Sequence, residues 1–366
     1  MMTMPSGHMA PLLLALSAVA GLGPSAAAEV GGPPGKVEKM DANTPPTFPL
    51  SAEQAASPRL PDAFRQAVAD WASKLHDPAT GGFAAKPGGG ADLLATADVV
   101  WTRYACNADD LGAPDRDRTI AYLDAQVPRL SGHRLWMAVR AIRILGGQPS
   151  RMPARYDGIT GPAAFEAHVR DHIVKRHAHH HEILGLLPLV VSSGDPNFTS
   201  VLLKAIADAQ DPAGHWPAGG RMDWSRTFAY SAIHLAAGER PPRAEKIIAL
   251  MERELTKGDR IVVSPAGGYH DMDALFVLVR LPAAINHPRA KEIRDRIRAG
   301  LPEFRRALPA AQDKLLADPH HGMLAAAHIL GLLQEAAPDD LPGDRPFRFD
   351  WDKLDLYNCR RFAAKR

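Results

Sequence analysis

The chain has 366 residues, 46% of them hydrophobic and 23% charged, with a formal net charge of +2. Those proportions describe an ordinary soluble globular protein of one large domain or two smaller ones. The near-neutral balance gives no bulk electrostatic reason to expect a nucleic-acid partner.

Residues 1–28 read as a secretory signal peptide. A short apolar core from Pro11 to Leu22 is followed by the small residues Ala26 and Ala28 before Glu29, although no Lys or Arg precedes the core. The run is too short to span a bilayer as a stable helix. The expected location is therefore secreted or periplasmic, with no membrane partner once the signal is removed. Residues 29–60 are rich in Pro, Gly and Ala and lack helical periodicity, which predicts an extended linker.

From Pro61 a paired pattern begins. PDAFRQAVADWASKL places Phe64, Val68, Trp71 and Leu75 on one helical face, and the more uniformly apolar DLLATADVVWTRYA follows. The alternation continues with PDRDRTIAYLDAQV and HRLWMAVRAIRILGG, then AAFEAHVRDHIVKRH and HHHEILGLLPLVVSSG. PNFTSVLLKAIADAQ leads to DWSRTFAYSAIHLAAG, PRAEKIIALMERELTKG to HDMDALFVLVRL, and PRAKEIRDRIRAGLPEF to HHGMLAAAHILGLL. The second members open near Asp92, His133, His179, Asp223, His270 and His320, a repeat of roughly 41 to 50 residues, as helical-hairpin arrays have. First members carry charge on one face and second members are apolar almost all round, which predicts charged helices outside and apolar helices inside. IVVS at Ile261 is the single strand candidate.

The turns HDPATGGFAAKPGGGADLLATADVV and AQDPAGHWPAGGRMDWSRTFAYSAIHL resemble the repeats of protein prenyltransferase β subunits and squalene–hopene-type cyclases. The resemblance covers roughly residues 61–335. It implies an all-α fold, an (α/α)6 toroid of six helical hairpins in inner and outer layers over residues 61–340, whose inner helices aim their N-termini at a central cavity. Residues 341–366 would be a tail packed on the ring. The same toroid hosts many glycoside hydrolases and polysaccharide lyases, so it does not name a reaction. In an exported chain, Cys106 and Cys359 are expected to pair, stapling the first hairpin to the tail; two unpaired buried thiols are the alternative.

Polar residues at the inner-helix openings are the candidates for chemistry. In GGYHDMDALF, Asp271 or His270 can serve as an N-cap, but two acids and a histidine exceed what a cap needs. His270, Asp271 and Asp273 then suggest a general acid/base pair or a metal site. Asp271-Met-Asp273-Ala274 resembles the acidic motif of class II terpene cyclases, where an aspartic acid protonates an alkene, with Ala274 departing at the fourth position. Asp271 and Asp273 also resemble the Asp-x-Cys zinc ligands of prenyltransferases, but Asp273 stands for the thiolate and Ala95 for the zinc histidine. Those departures argue against a prenyltransferase.

In HAHHHE, His177 and His181 have the i, i+4 spacing that puts two imidazoles on one helix face, and His180 is a candidate for the cavity. A divalent metal is an option there; no cofactor is required. In DWSRTFAY, Asp223, Arg226 and Tyr230 share one helix face beside the flat ring of Trp224. Arg226 suits a carboxylate partner. Asp92, the cluster His133, Arg134 and Trp136, and the pair His320 and His321 gain weight from recurring at equivalent openings.

An isoprenoid cyclase guides carbocations with aromatic rings, yet the chain is only 6% aromatic. The polar openings favour an exported enzyme acting on a polar, uronic-acid-containing glycan. In a hydrolase Asp271 and Asp273 would be acid and base, although carboxylates in one short segment rarely flank a sugar on opposite faces. In a lyase Tyr230 or a cavity histidine such as His180 would take the proton beside the uronate carboxylate, with Arg226 or His270 neutralising it. An isoprenoid cyclase or prenyltransferase-like enzyme, or a non-catalytic toroid that binds glycan or protein, is the alternative.

Overall fold

A computed structural model describes residues 52–349 except 58, 109–112, 175–179, 219–220 and 318. The expected signal peptide, residues 29–51 of the expected linker, His177, His179 and Cys359 lie outside the described residues. Most of the described residues are helical. The helices are α1 (Ala52–Ala56), α2 (Leu60–Leu75), α3 (Leu93–Ala105), α4 (Ala113–Asp124), α5 (Gly132–Ile144), α6 (Pro162–His168) and α7 (His180–Leu184). They continue as α8 (Leu187–Ser193), α9 (Pro196–Asp208), α10 (Trp224–Ala236), α11 (Ala244–Leu255), α12 (Gly268–Ala284), α13 (Ala290–Ala317) and α14 (Pro319–Ala336). Among the described residues, strands are limited to two tiny antiparallel hairpins, β1 (Pro217–Ala218) with β2 (Arg221–Met222), and β3 (Thr256–Lys257) with β4 (Arg260–Ile261). No helix among the described residues is long and apolar enough to cross a membrane.

The two classes of helix differ in burial as their sequences require. In α11, apolar residues at Ile247, Ile248, Met251 and Leu255 are buried on one side, while Glu245, Lys246 and Arg253 leave the other side wet. In α12 the run from Met272 to Val279 is buried without interruption. Helix α2 packs on α3, α4 on α5, α9 on α10, α11 on α12 and α13 on α14. The more buried members also touch one another in succession: α3 with α5, α5 with α7, α7 with α10, α10 with α12, α12 with α14, and α14 with α3. Polar caps fix two of the buried starts. Asp92 accepts from the Ala95 amide at the head of α3, and Asp223 accepts from the Arg226 amide at the head of α10, both at 2.9 Å.

Three local features depart from the expected pattern. Residues 52–56, expected within an extended linker, form α1, which packs on α13. The stretch AAFEAHVRDHIVKRH is not one α-helix, since α6 passes into a π-helical turn over Val169–Val174. HHHEILGLLPLVVSSG divides into α7 and α8, because Pro188 lacks an amide hydrogen and is confined to the first turn of a new helix. The end of α7 nonetheless lies tightly on the start of α5. A methyl added at Gly185 would sit 2.5 Å from Gly132 Cα, so the two backbones approach through paired glycines.

After α14 the chain crosses back over earlier elements. Phe347 packs on Phe64 with ring centroids 6.2 Å apart, Phe349 stacks on Phe276 at 5.0 Å, and the Arg348 amide donates to the Ala105 carbonyl at 2.8 Å. Cys106 is buried beneath this segment, and burial pushes its thiol pKa up.

Candidate functional site

A cavity of about 250 Å3 lies where the first turns of α5, α7, α10, α12 and α14 meet. His133 and Trp136 enter it from α5; His180, His181 and Leu184 from α7; Asp223, Ser225, Phe228 and Ala229 from the start of α10. Tyr269 and Asp273 come from α12 and His321 from α14. A larger groove of about 430 Å3 runs along α13 beside Arg298, Arg305 and Asp340. There Arg298 pairs with Asp340 at 2.9 Å and Arg305 donates to the Asp340 carbonyl, and no histidine lines the groove. The smaller cavity is therefore the one that gathers chemistry.

Its imidazoles form a contiguous set. His133 stacks on His181 with centroids 4.3 Å apart and planes 19° from parallel, and His180 meets His181 edge-on at 4.3 Å. His321 stands edge-on to both His133 at 5.9 Å and Tyr269 at 5.0 Å. Its Nδ1 is 2.9 Å from the Asp98 carboxylate on α3, which is 1% exposed. A ring engaged on so many sides is fixed in orientation.

Asp273 has the most unusual environment. It is 1% exposed, and neither carboxylate oxygen meets a hydrogen-bond partner among the described residues. Burial raises its pKa well above the ordinary carboxylate range. The nearby Ser225 hydroxyl pulls the other way, and the negative charge of Asp223 adds to the rise. The result is a carboxyl at the wall of a cavity whose balance is moved toward the protonated form, the direction that equips a carboxyl to donate a proton.

Of the residues singled out in the sequence, His133, Trp136, His180, His181, Asp223, Asp273 and His321 line this one cavity. The others are placed elsewhere. Asp271 accepts from the Ser264 amide at 2.6 Å and lies 3.1 Å from His270 Nδ1. His270 leans on Trp224 with centroids 5.1 Å apart, and its Nε2 lies 3.6 Å from Glu254. Arg226 donates to the Pro217 carbonyl at 2.7 Å and lies 3.9 Å from Asp223. Tyr230 is buried edge-on against Trp216 at 5.5 Å, and burial pushes its phenol further above the physiological range. Asp92 is spent on its cap, Arg134 is exposed, and the His320 side chain lies outside the described residues.

Sequence reasoning missed Asp98, Ser225 and Tyr269. Asp98 alone left a signal, a single acid inside the apolar run LLATADVVW, where an unpaired carboxylate would be costly. Among the described residues no group of three or more His, Cys, Asp or Glu side chains is arranged to hold a metal ion. In comparisons with protein-family models, with curated proteins and with solved structures, nothing matches the chain, so the site is interpreted from its own geometry.

Proposed function

We propose that the helix pairs form an (α/α)6 toroid and that its mouth is the active site of an exported enzyme working by proton transfer on a polar, uronic-acid-containing glycan. The succession of buried helices that returns from α14 to α3 supports the ring. One observation carries the chemistry: a buried carboxyl that favours its proton lines the same cavity as several imidazoles. Separated acid and base tendencies in one site are what general acid–base catalysis needs.

Elimination is preferred to hydrolysis. Asp271 is held outside the cavity, so the pair Asp271 and Asp273 does not flank a ligand, and Tyr230 is buried away from it. A cavity histidine as base and Asp273 as acid remain. The cavity, at about 250 Å3, is smaller than the usual range for drug-sized ligands of about 300–1,000 Å3, which suits a single sugar ring. Trp136 offers an apolar face beside the imidazoles.

The test is incubation of the protein with a panel of uronic-acid polysaccharides while following the ultraviolet absorbance of an unsaturated product. Absorbance should rise, and Asp273→Asn should lower kcat by about 100-fold or more. New reducing ends without absorbance would replace the lyase by a hydrolase. Silence in both would remove glycan cleavage.

A second reading follows from Asp273 alone. A neutral acid beside Phe228 and Trp136, in the segment that resembles the acidic motif of class II terpene cyclases, can protonate an alkene. The polar histidine wall disfavours it. Cyclisation of a linear polyene, lost in Asp273→Asn, would establish it in place of the first.

A further inference from the structure

We infer that Asp98 is the positioning residue for a general base at His321, the two forming a dyad that joins the first and last of the buried helices. Naming its substrate rests on the uronate reading above; the dyad's own chemistry does not.

Asp98 sits one turn into α3, among the buried residues Ala97, Val99, Val100 and Trp101. Nothing in that packing calls for an acid. A buried carboxylate is tolerated when it is hydrogen-bonded, and Asp98 Oδ2 lies 2.9 Å from His321 Nδ1 on α14. An ionised carboxylate can only accept, so the bond selects the tautomer with hydrogen on Nδ1. In the neutral ring the lone pair is then on Nε2. Tyr269 and His133, both edge-on to the ring, oppose its rotation, while the His321 side chain keeps 39% of its surface exposed at the cavity. A partly open imidazole with one nitrogen committed to a buried acid is the geometry of an oriented base, and the same acid stabilises the imidazolium formed when the base is protonated.

Applied to a uronate, the electrons balance. His321 Nε2 takes the proton beside the carboxylate, and the C–H pair becomes the new C=C bond. The bond to the glycosidic oxygen breaks, and that oxygen receives the proton of Asp273. Asp98 touches no reacting atom.

The test needs no substrate. Full-length protein labelled with 15N in its histidine rings is recorded at pH 8, and the His321 signals are assigned by their loss in His321→Gln. The inference requires hydrogen on Nδ1 and an unprotonated Nε2 in the wild type. Asp98→Ala should shift His321 toward the Nε2-protonated tautomer, and Asp98→Glu should restore the wild-type pattern in part. A wild-type His321 protonated on Nε2 alone would overturn it, and that measurement stands even if Asp98→Ala fails to fold. Where the polysaccharide panel gives turnover, Asp98→Ala should lower kcat by about 100-fold with KM little changed. If the panel is silent but the tautomer is as stated, the dyad stands and the glycan reading falls.

Discussion

The Asp273 pKa is raised because the fold takes its carboxyl out of water, and the opposing pull of the Ser225 hydroxyl does not cancel that burial. Its pKa is raised on folding, so the native state binds the proton more tightly than the unfolded chain. Near pH 3.8 and below, this group costs the fold nothing through ionisation. As pH climbs above that value toward the folded pKa, the unfolded chain releases the proton first and stability falls. Asp273→Asn removes that loss, so its melting temperature should exceed the wild type's by more at pH 7 than at pH 4. A difference on the order of 1–3 kcal/mol at neutral pH is the scale for a buried polar group of this kind. Thermal melts across that range check it, and a constant difference would contradict the assignment. Asp273 was legible in the sequence because a second acid after Asp271 exceeded what a cap requires. Tyr230 and Arg226 show the opposite case. Their spacing with Asp223 establishes a shared helix face, but spacing does not say where that face points. The Arg226 guanidinium turns to the Pro217 carbonyl, and Tyr230 to Trp216.

Between elements, the approach of α7 to α5 decides whether the imidazoles meet. Gly185 and Gly132 let the two backbones come close enough for His133 to stack on His181. A methyl at Gly185 meets backbone rather than a flexible side-chain end, and backbone cannot step aside cheaply. Gly185→Ala should therefore destabilise the protein by about 1–3 kcal/mol and part the stacked rings. Urea titration gives the first quantity, and ring-proton shifts of His133 and His181 the second; unchanged values for both would show that the approach has slack. Helical pairing itself was legible, because charged and apolar helices alternate with prolines at their starts. The broken third pair was not. Pro188 marks a possible start as readily as a kink, and the π-helical turn after α6 has no period that a sequence shows.

At the scale of the molecule, two buried histidines contribute to the loss of stability in acid. His234 packs by Trp216 with neither ring nitrogen partnered among the described residues, and burial lowers its pKa to about 4. His328 is lowered as well, by burial first and by the charge of Arg140 second. A histidine with a depressed folded pKa binds a proton more readily when unfolded, so stability falls as pH drops below about 6.5 toward the folded pKa. His234 alone should cost roughly 1–2 kcal/mol by pH 5. His234→Phe should flatten that limb of a stability-against-pH curve; an unchanged slope would mean that His234 titrates normally. Asp273 acts with the opposite sign, losing its cost as pH falls, so the two effects oppose each other in mild acid.

The contact between Asp98 and His321 spans 223 positions of sequence. Chain synthesis therefore delivers the acid long before the imidazole it orients. Until α14 has been made and has docked on α3, the Asp98 carboxylate has no contact with His321. A nascent or truncated polypeptide lacking α14 can carry most of the cavity wall but not this contact. The pairing closes only when the last helix pair is complete.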